Sequence, residues 1–282
     1  MAGEGLPVEV ACRVLCVSCA GYYAWRLRAP SARALRHAWL TDVICEVHAA
    51  SYGTYGAKRV HAELVLGRAI RVGHNAVAML MRRAGIQGRT GSPKRRGLSG
   101  APTADDLVER LFVRKQPNQL WVTDITEHPT REGKVYCAVV LDAFSRRVVG
   151  WSIAHNPTAA LTANALGMAV EQRESARGET VIHSDHGTQF TSWAFTERAR
   201  KSRLVPSMGS VGDCYDNAMI EAFWSRMQVE LLDTRRWKTR MELANAIFEY
   251  VEIFHNRRRR HSALGMRTPI EFELLNTTPA AA

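Results

Sequence analysis

No stretch of this 282-residue chain is long and apolar enough to predict a membrane-spanning helix. The most apolar stretch, Val135 to Leu141, is far shorter than the roughly 18 residues that such a helix needs. The amino-terminal segment lacks the positive charges that begin a secretory signal peptide, and Glu9 and Arg13 interrupt its apolar part. The sequence therefore predicts a cytoplasmic protein.

Paired cysteine or histidine motifs of the kind that bind zinc are also missing. Of the six cysteines, only Cys16 and Cys19 have the CxxC spacing, and no second pair completes a set of four ligands. The sequence predicts reduced cytosolic thiols rather than a zinc site.

Acidic residues are scarce relative to basic ones, with 27 Asp and Glu against 38 Lys and Arg and a net charge of +11. An excess of this size favours a polyanionic partner, most commonly nucleic acid, although a basic protein without such a partner is the simpler alternative. The length leaves room for one large domain, or for a core with smaller modules.

The residue pattern divides the chain into five predicted regions. Residues 1–39 combine a short helical stretch with a basic connector. Residues 40–86 show helical patterns around glycine-containing turns, the outline of a helix-turn-helix DNA-binding unit. Residues 87–106, rich in glycine, proline, serine and basic side chains, predict a flexible linker. Residues 107–235 predict the core, and residues 236–282 a C-terminal helix with a basic tail.

Basic residues accompany the helical region and the linker. Arg82 and Arg83 end the last predicted helix of that region, and Lys94, Arg95 and Arg96 follow in the linker. Any pair of antiparallel helices gives the same outline, and a basic linker can be a solvated hinge. These five residues are therefore candidates for contacts with DNA phosphates.

The core pattern predicts three strands joined by short turns, followed by helix, strand, helix, strand and helix. A meander followed by crossover helices implies an α/β fold, in which a mixed five-stranded sheet is flanked by helices. The predicted strands cover residues 120–126, 134–141, 147–154, 180–183 and 204–208.

Three acidic residues stand where this fold could bring them together. Asp124 lies near the end of the first strand, Asp185 ends the fourth, and Glu221 follows the apolar Ile220 in a helical pattern. Taken singly, each has an ordinary explanation as a strand-end, turn or solvent-facing acid. If the first and fourth strands are neighbours, the two aspartates lie side by side, and a helix packed across that edge adds Glu221.

Three converging carboxylates suit divalent metal ions. Mg²⁺ prefers oxygen ligands and keeps several waters, so two or three carboxylates suffice. Two such ions about 3.5–4 Å apart activate the attacking oxygen and stabilise the leaving oxygen in phosphodiester chemistry. Water as the nucleophile gives hydrolysis, and a DNA 3′-hydroxyl gives strand transfer. Mn²⁺ is the expected substitute for Mg²⁺.

Several motifs that recur in order give the chain a specific family resemblance. They are YGAKRV, WVTDIT, VVLDAFSRRVVGW, HSDHGTQF, DNAMIEAFW and NRRRRHSALGMRTPIEF, within about residues 40 to 274. The chain resembles the second-reading-frame product of IS3-family insertion-sequence transposases, which belong to the retroviral-integrase-like enzymes with a ribonuclease H-like core. The 35 residues between Asp185 and Glu221 also fit. The resemblance implies that Asp124, Asp185 and Glu221 form a catalytic, metal-binding triad.

The resemblance also assigns DNA contacts around the triad, with two departures. Gly187 and Gln189 shape the loop after the second acid. His186 stands where arginine is common, and Gln228 stands where the family usually has a lysine or arginine seven residues after the glutamate. A neutral hydrogen bond from Gln228 would replace the usual phosphate contact.

The C-terminal basic segment is the remaining candidate DNA surface. Arg257, Arg258, Arg259 and Arg260 are consecutive, and His261 completes an N-x-x-R-x-H pattern of the family. Four adjacent guanidinium groups repel one another unless an anion or an acidic partner is near. They are expected to hold the DNA backbone, the alternative being a solvated run of charge.

The resemblance predicts a DNA transposase that cleaves and joins strands at the ends of an insertion sequence, in the bacterial cytoplasm and associated with the nucleoid. Its partners would be double-stranded DNA, as terminal inverted repeats and target, and either a second copy or the upstream-frame product as a fusion. No membrane partner is expected. Two alternatives remain open: a ribonuclease H-like nuclease without strand transfer, and a non-enzymatic DNA-binding remnant.

Overall fold

The structure is a computed structural model. It describes residues 7–89, 114–173, 180–185, 187–208 and 218–277. Five strands form one sheet, and helices precede, flank and follow it. The strands are β1 (Leu120–Thr130), β2 (Gly133–Asp142), β3 (Val148–Ala154), β4 (Val181–Ser184) and β5 (Val205–Met208). The α-helices are α1 (Val8–Val14), α2 (Cys19–Leu27), α3 (Ala32–Ala50), α4 (Ala57–Ala62), α5 (His74–Arg83), α6 (Ala159–Arg173), α7 (Trp193–Lys201), α8 (Ala218–Glu230), α9 (Arg240–Phe248) and α10 (Pro269–Thr277).

The strand order across the sheet is β3-β2-β1-β4-β5. β1, β2 and β3 form an antiparallel meander, and β4 and β5 continue the sheet parallel to β1. This confirms the predicted mixed five-stranded sheet, and it makes β1 and β4 neighbours. β1 extends to Thr130, four residues past its predicted end. Among the described residues, only Leu120 to Val122 pair with β4, and the far half of β1 has no strand partner on that side, which is compatible with Pro129.

Side chains of alternating residues in the sheet pack into two apolar cores, one on each face of the sheet. Cys137, Val139 and Leu141 of β2 belong to the core that α8 and α9 cover. Ala138 and Val140 belong to the core under α6 and α7. This double burial explains why β2 is a continuous apolar run rather than an alternating pattern.

A glycine in β3 allows α6 to lie close to the sheet. A Cβ atom at Gly150 would overlap the carbonyl oxygen of Ala165 and the backbone nitrogen of Ala169. Both alanines are fully buried in α6. The small residues on the two elements therefore set a close contact between helix and strand.

The amino-terminal helices α3, α4 and α5 pack into the same apolar core as one face of the sheet. Ile44, Val60 and Val77 have no exposed surface, and they share this core with Val139 and Tyr250. α4 continues into a π-helical turn, Glu63–Gly67, and α9 continues into another, Glu249–His255. The C-terminal helix predicted within residues 236–282 thus begins as an α-helix, α9, and continues as a π-helical segment.

None of the helices in the described part of the chain has the length and apolar character to cross a membrane. Four predicted DNA-contacting residues, Lys94, Arg95, Arg96 and His186, lie outside the described residues.

Candidate active site

The sheet brings Asp124 and Asp185 to one edge. In the parallel pairing of β1 and β4, Val122 is opposite His183. Each aspartate lies two residues beyond that pair, so the two occupy equivalent positions along neighbouring strands. Because β1 continues to Thr130, Asp124 lies inside this strand, just past the residues that pair with β4, and not near the strand end as predicted.

Glu221 approaches this edge on the first turn of α8. Ile220, Phe223 and Met227 of α8 are buried in the core, which fixes the helix against the sheet, while Glu221 is exposed. One turn after Glu221, the indole nitrogen Nε1 of Trp224 donates a hydrogen bond to Oδ2 of Asp124 at 3.0 Å. This bond directly connects the helix of the third acid to the strand of the first.

The electrostatics of Asp124 reflect the convergence of the three acids. Burial raises the pKa of Asp124 to about 6, and the negative charges of Asp185 and Glu221 act in the same direction. Hydrogen bonds from the Ile125 backbone nitrogen and the Trp224 indole oppose the rise in pKa. A cation placed among these carboxylates would relieve their mutual repulsion.

The donor set fits a divalent ion such as Mg²⁺, because all three side chains offer carboxylate oxygens. Over the described residues, no three Asp, Glu, His or Cys side chains are arranged closely enough to enclose a metal ion. Asp124 accepts hydrogen bonds on both oxygens, from the Ile125 backbone at 2.7 Å and from Trp224. The acids therefore converge on one edge without forming a complete coordination shell.

Comparisons with known proteins agree with this architecture. Two integrase core domain models match residues 114–214 and 202–269, and an HTH-like domain model matches residues 35–96. The transposase InsF of insertion sequence IS3A from Escherichia coli K12 is 35% identical over 276 residues, covering 95% of this chain and 94% of the relative. The chain belongs to the IS3 family of insertion-sequence transposases.

Other relatives and a solved structure extend the comparison. The putative transposase of IS986/IS6110 from Mycobacterium tuberculosis is 37% identical to this transposase over 261 residues. The match covers 89% of the present chain and 93% of the Mycobacterium protein. The HTLV-2 integrase catalytic core domain, solved in complex with magnesium, superposes with a TM-score of 0.42 at 19% sequence identity. The match covers 56% of the present chain and 97% of the HTLV-2 domain. Membership of the family makes the protein a DDE-type transposase.

The loop after Asp185 is held by its own side chains. The backbone nitrogen of Gly187 donates to Oδ1 of Asp185 at 2.9 Å, and a Cβ atom at Gly187 would lie 2.9 Å from that oxygen. Gln189 donates through Nε2 to the carbonyl oxygen of Pro157 at 3.3 Å. Both residues therefore contribute hydrogen bonds that hold the described part of the loop.

The predicted DNA-contacting residues of the helices have different settings. Arg82 and Arg83 are exposed in the last turn of α5. Gln228 is half-buried, and its amide donates to Oδ1 of Asp233. Its side chain is thus already bound within the protein, whereas the two arginines face solvent.

The C-terminal arginine run is not one solvent-facing basic surface, which corrects the sequence-based expectation. Arg257 and Arg258 are exposed, but Arg259 and Arg260 are buried. His261 is also buried, and burial together with the Arg259 charge holds its pKa well below the ordinary value.

Acidic residues from distant segments explain this burial. Glu230 accepts two hydrogen bonds of 2.7 Å from Arg259. Glu63 and Glu271 each accept one of 2.6 Å from Arg260. These partners are far from the run in sequence or on another element, so the run alone does not indicate them.

Trp224 is the site residue that sequence reasoning missed. It lies among apolar residues of α8, a setting that indicates packing, yet its indole presents an N–H group to Asp124. The available signal was its position, three residues after Glu221, because residues i and i+3 lie on the same side of a helix.

Proposed function

We propose that this transposase cleaves and joins DNA strands at the ends of its insertion sequence, with Asp124, Asp185 and Glu221 as the catalytic carboxylates. The observation that carries the proposal is the placement of two aspartates on neighbouring parallel strands, with Asp124 hydrogen-bonded to the helix that bears Glu221. A 3′-hydroxyl group or water is the attacking nucleophile in this proposal.

The three carboxylates would hold the divalent ions of the reaction, in our proposal two Mg²⁺, with Mn²⁺ as a substitute. Bound ions would activate the attacking oxygen and stabilise the charge on the leaving oxygen. The protein contributes the geometry: Trp224 orients Asp124, and the Gly187 nitrogen orients Asp185. Such supporting hydrogen bonds commonly matter almost as much as the ligands themselves.

Double-stranded DNA is the proposed partner, both as the terminal inverted repeats of the element and as target. The net charge of +11 and the HTH-like match over residues 35–96 support it. Arg82, Arg83, Arg257 and Arg258 are exposed and are proposed to contact phosphates. Association with the bacterial nucleoid, and self-association or fusion with an upstream-frame product, complete the proposal.

A cleavage and strand-transfer assay on the element's own ends, with Mg²⁺ present, tests the catalytic assignment. Asp124→Asn, Asp185→Asn and Glu221→Gln keep the side-chain shapes and remove the charges. Each should lower both rates by about 10³-fold or more, since metal-assisted charge stabilisation contributes several kcal/mol. Glu197→Gln, which changes an acid of α7 that pairs with Arg200, is the matched control.

The assay also separates the alternatives. Cleavage without joining would indicate a nuclease that only hydrolyses. DNA binding without either reaction would indicate a non-enzymatic remnant. Triad variants with the activity of the unchanged chain would refute the catalytic assignment.

A further inference from the structure

A cavity of about 170 Å³ lies where four parts of the chain meet. One arginine comes from each part: Arg59 from α4, Arg146 from the turn between β2 and β3, Arg226 from α8, and Arg259 from the C-terminal segment. None of the residues that line it is acidic. The cavity is therefore a cationic pocket, and we call it the arginine pocket.

Among the described residues, a carboxylate neutralises one of the four arginines. Arg259 is held by Glu230 through two hydrogen bonds of 2.7 Å. Within the described ranges, Arg59, Arg146 and Arg226 form no ion pair. Three guanidinium charges thus meet in one cavity without acidic partners of their own.

The burial of two of these side chains makes the arrangement costly without an anion. Burial lowers the pKa of Arg59 and of Arg146, and the positive charge of Arg259 lowers both further. The negative charge of Glu230 partly offsets this at Arg59. Arginine nevertheless stays charged in proteins, so the repulsion persists. An anion bound between the guanidinium groups would remove it.

The other polar side chains of the cavity add hydrogen-bonding capacity without negative charge. His255 and His261 lie at its buried end, and Ser262 is exposed. Nε2 of His255 lies 2.9 Å from the Arg146 carbonyl oxygen, to which it donates. The pocket therefore offers planar guanidinium donors, which match the oxygens of a phosphate group well.

The position of the pocket relates it to the carboxylates. Met219, Ala222, Phe223 and Arg226 line the cavity and form one face of α8 at i, i+3, i+4 and i+7. Glu221 lies roughly 150° around the helix from the centre of that face, at about 100° per residue. The arginine pocket and the carboxylates thus lie on opposite flanks of α8, about one helix diameter of 10–12 Å apart.

We propose that the arginine pocket binds one backbone phosphate of the DNA on which the transposase acts, fixing that strand across α8 relative to the carboxylates. This proposal rests on the proposed function, because it takes DNA as the partner. The cavity has the volume of about six water molecules at ~30 Å³ each, which suits a single phosphodiester group. Such a contact positions DNA without reading its sequence.

The salt dependence of DNA binding tests the assignment. The Asp185→Asn protein, which should not cleave its ligand, is titrated with a duplex of the element end at several salt concentrations. Adding Arg146→Gln with Arg226→Gln should lower the magnitude of the slope of log Kobs against log salt by about 0.9, the loss of one phosphate contact. Affinity for unrelated duplexes should fall in proportion.

Two control variants make the result specific. Arg146→Lys with Arg226→Lys retains the charges and should recover most of the slope. Arg200→Gln removes an exposed arginine of α7 that pairs with Glu197, and should leave the slope unchanged. Thermal unfolding of each variant verifies that the fold is intact.

An unchanged slope in the folded double glutamine variant would overturn the proposal, as would failure of the parent protein to bind DNA. Inorganic phosphate is the second probe. If it stabilises the parent and not the double variant while the slope is unchanged, the pocket binds free phosphate instead of DNA. The slope requires no catalysis, so an inactive transposase with the expected slope change would refute the catalytic proposal and leave the pocket assignment standing.

Discussion

The two ends of helix α8 hold carboxylates in contrasting environments. At its start, Glu221 lies near Asp124, whose pKa is raised mainly by burial and also by the charges of Asp185 and Glu221. At its end, Glu230 is buried and forms a bidentate ion pair with Arg259. Here burial favours the neutral acid, but the ion pair outweighs it and lowers the pKa of Glu230.

The contrast shows how one helix serves both stability and chemistry. The ion pair of Glu230 with Arg259 holds distant segments together. The carboxylates near Asp124 repel one another, and a bound cation can relieve that repulsion. Active sites commonly carry such locally unfavourable electrostatics at some cost in stability. Substituting an acid by its amide should therefore have different consequences at the two ends of α8.

The largest effect on stability is expected for Glu230→Gln. It leaves the buried Arg259 charge without its carboxylate and also weakens the hydrogen bond from Tyr250. Breaking a buried ion pair in this way lowers the free energy of unfolding by about 3–5 kcal/mol. Chemical denaturation measures the change, and Asp124→Asn is the comparison: it should leave stability unchanged or increase it. A larger loss in Asp124→Asn than in Glu230→Gln would overturn the contrast.

The pH dependence sharpens this prediction. A carboxyl group whose pKa is lowered on folding stabilises the protein above its unfolded pKa, here about 4.5, and loses that contribution as the pH falls through the folded value. The difference in stability between the unchanged chain and Glu230→Gln should therefore be full at pH 7 and shrink below about pH 4.5. A difference that is constant down to pH 2 would contradict the ion-pair explanation.

A somewhat smaller effect is expected from His255. Burial, with the positive charge of Arg259 next, lowers the pKa of His255 to about 4 from 6.5. The unfolded chain therefore binds this proton between pH 6.5 and pH 4 while the folded chain does not, so stability falls as the pH falls through that window. The loss should be about 2–3 kcal/mol. In His255→Gln this part of the pH dependence should be absent, whereas His48→Gln, an intermediate-exposure control, should retain it.

Trp224→Phe tests the hydrogen bond that connects α8 to β1 near the start of α8. An aromatic ring is retained, but the N–H donor to Asp124 is lost together with part of the indole volume. Supporting hydrogen bonds to metal ligands typically contribute 10–100-fold, so the cleavage rate and the apparent Mg²⁺ affinity should fall by about that factor. Trp193→Phe, at a tryptophan that is 79% exposed, is the control and should change neither. Loss of stability without loss of Mg²⁺ affinity would assign Trp224 to packing alone.

The smallest effect on stability is expected at the exposed half of the arginine run. Arg257→Gln should change the free energy of unfolding by less than about 0.5 kcal/mol, as surface substitutions usually do. Its neighbour two positions on, Arg259→Gln, should cost several kcal/mol because Glu230 loses its partner. If the two substitutions changed the free energy of unfolding equally, the difference in burial between Arg257 and Arg259 would have no effect on stability.

The sequence was sufficient for the features that depend on local pattern. Apolar continuity in β2 predicted a strand buried on both faces, and the order of strands and helices predicted the mixed sheet. The sequence placed Asp124 beside Asp185 only on the condition that the first and fourth strands are neighbours, a condition that the sheet fulfils. The partners of Arg259 and Arg260 could not be predicted, because Glu63, Glu230 and Glu271 become neighbours only through tertiary packing. The role of Trp224 was hidden for the opposite reason: an aromatic residue in an apolar stripe usually indicates packing, and its single N–H group leaves no trace in the pattern.

The contacts of Arg260 have a consequence for building chimaeric transposases. Its backbone nitrogen donates to the Tyr55 hydroxyl group, and its guanidinium group joins Glu63 to Glu271. One residue thereby connects the amino-terminal helices to the last helix of the chain. Exchanging residues 35–96 for those of a relative, in order to retarget the enzyme, therefore requires that the incoming segment supply the tyrosine and the glutamate, or that the C-terminal segment travel with it.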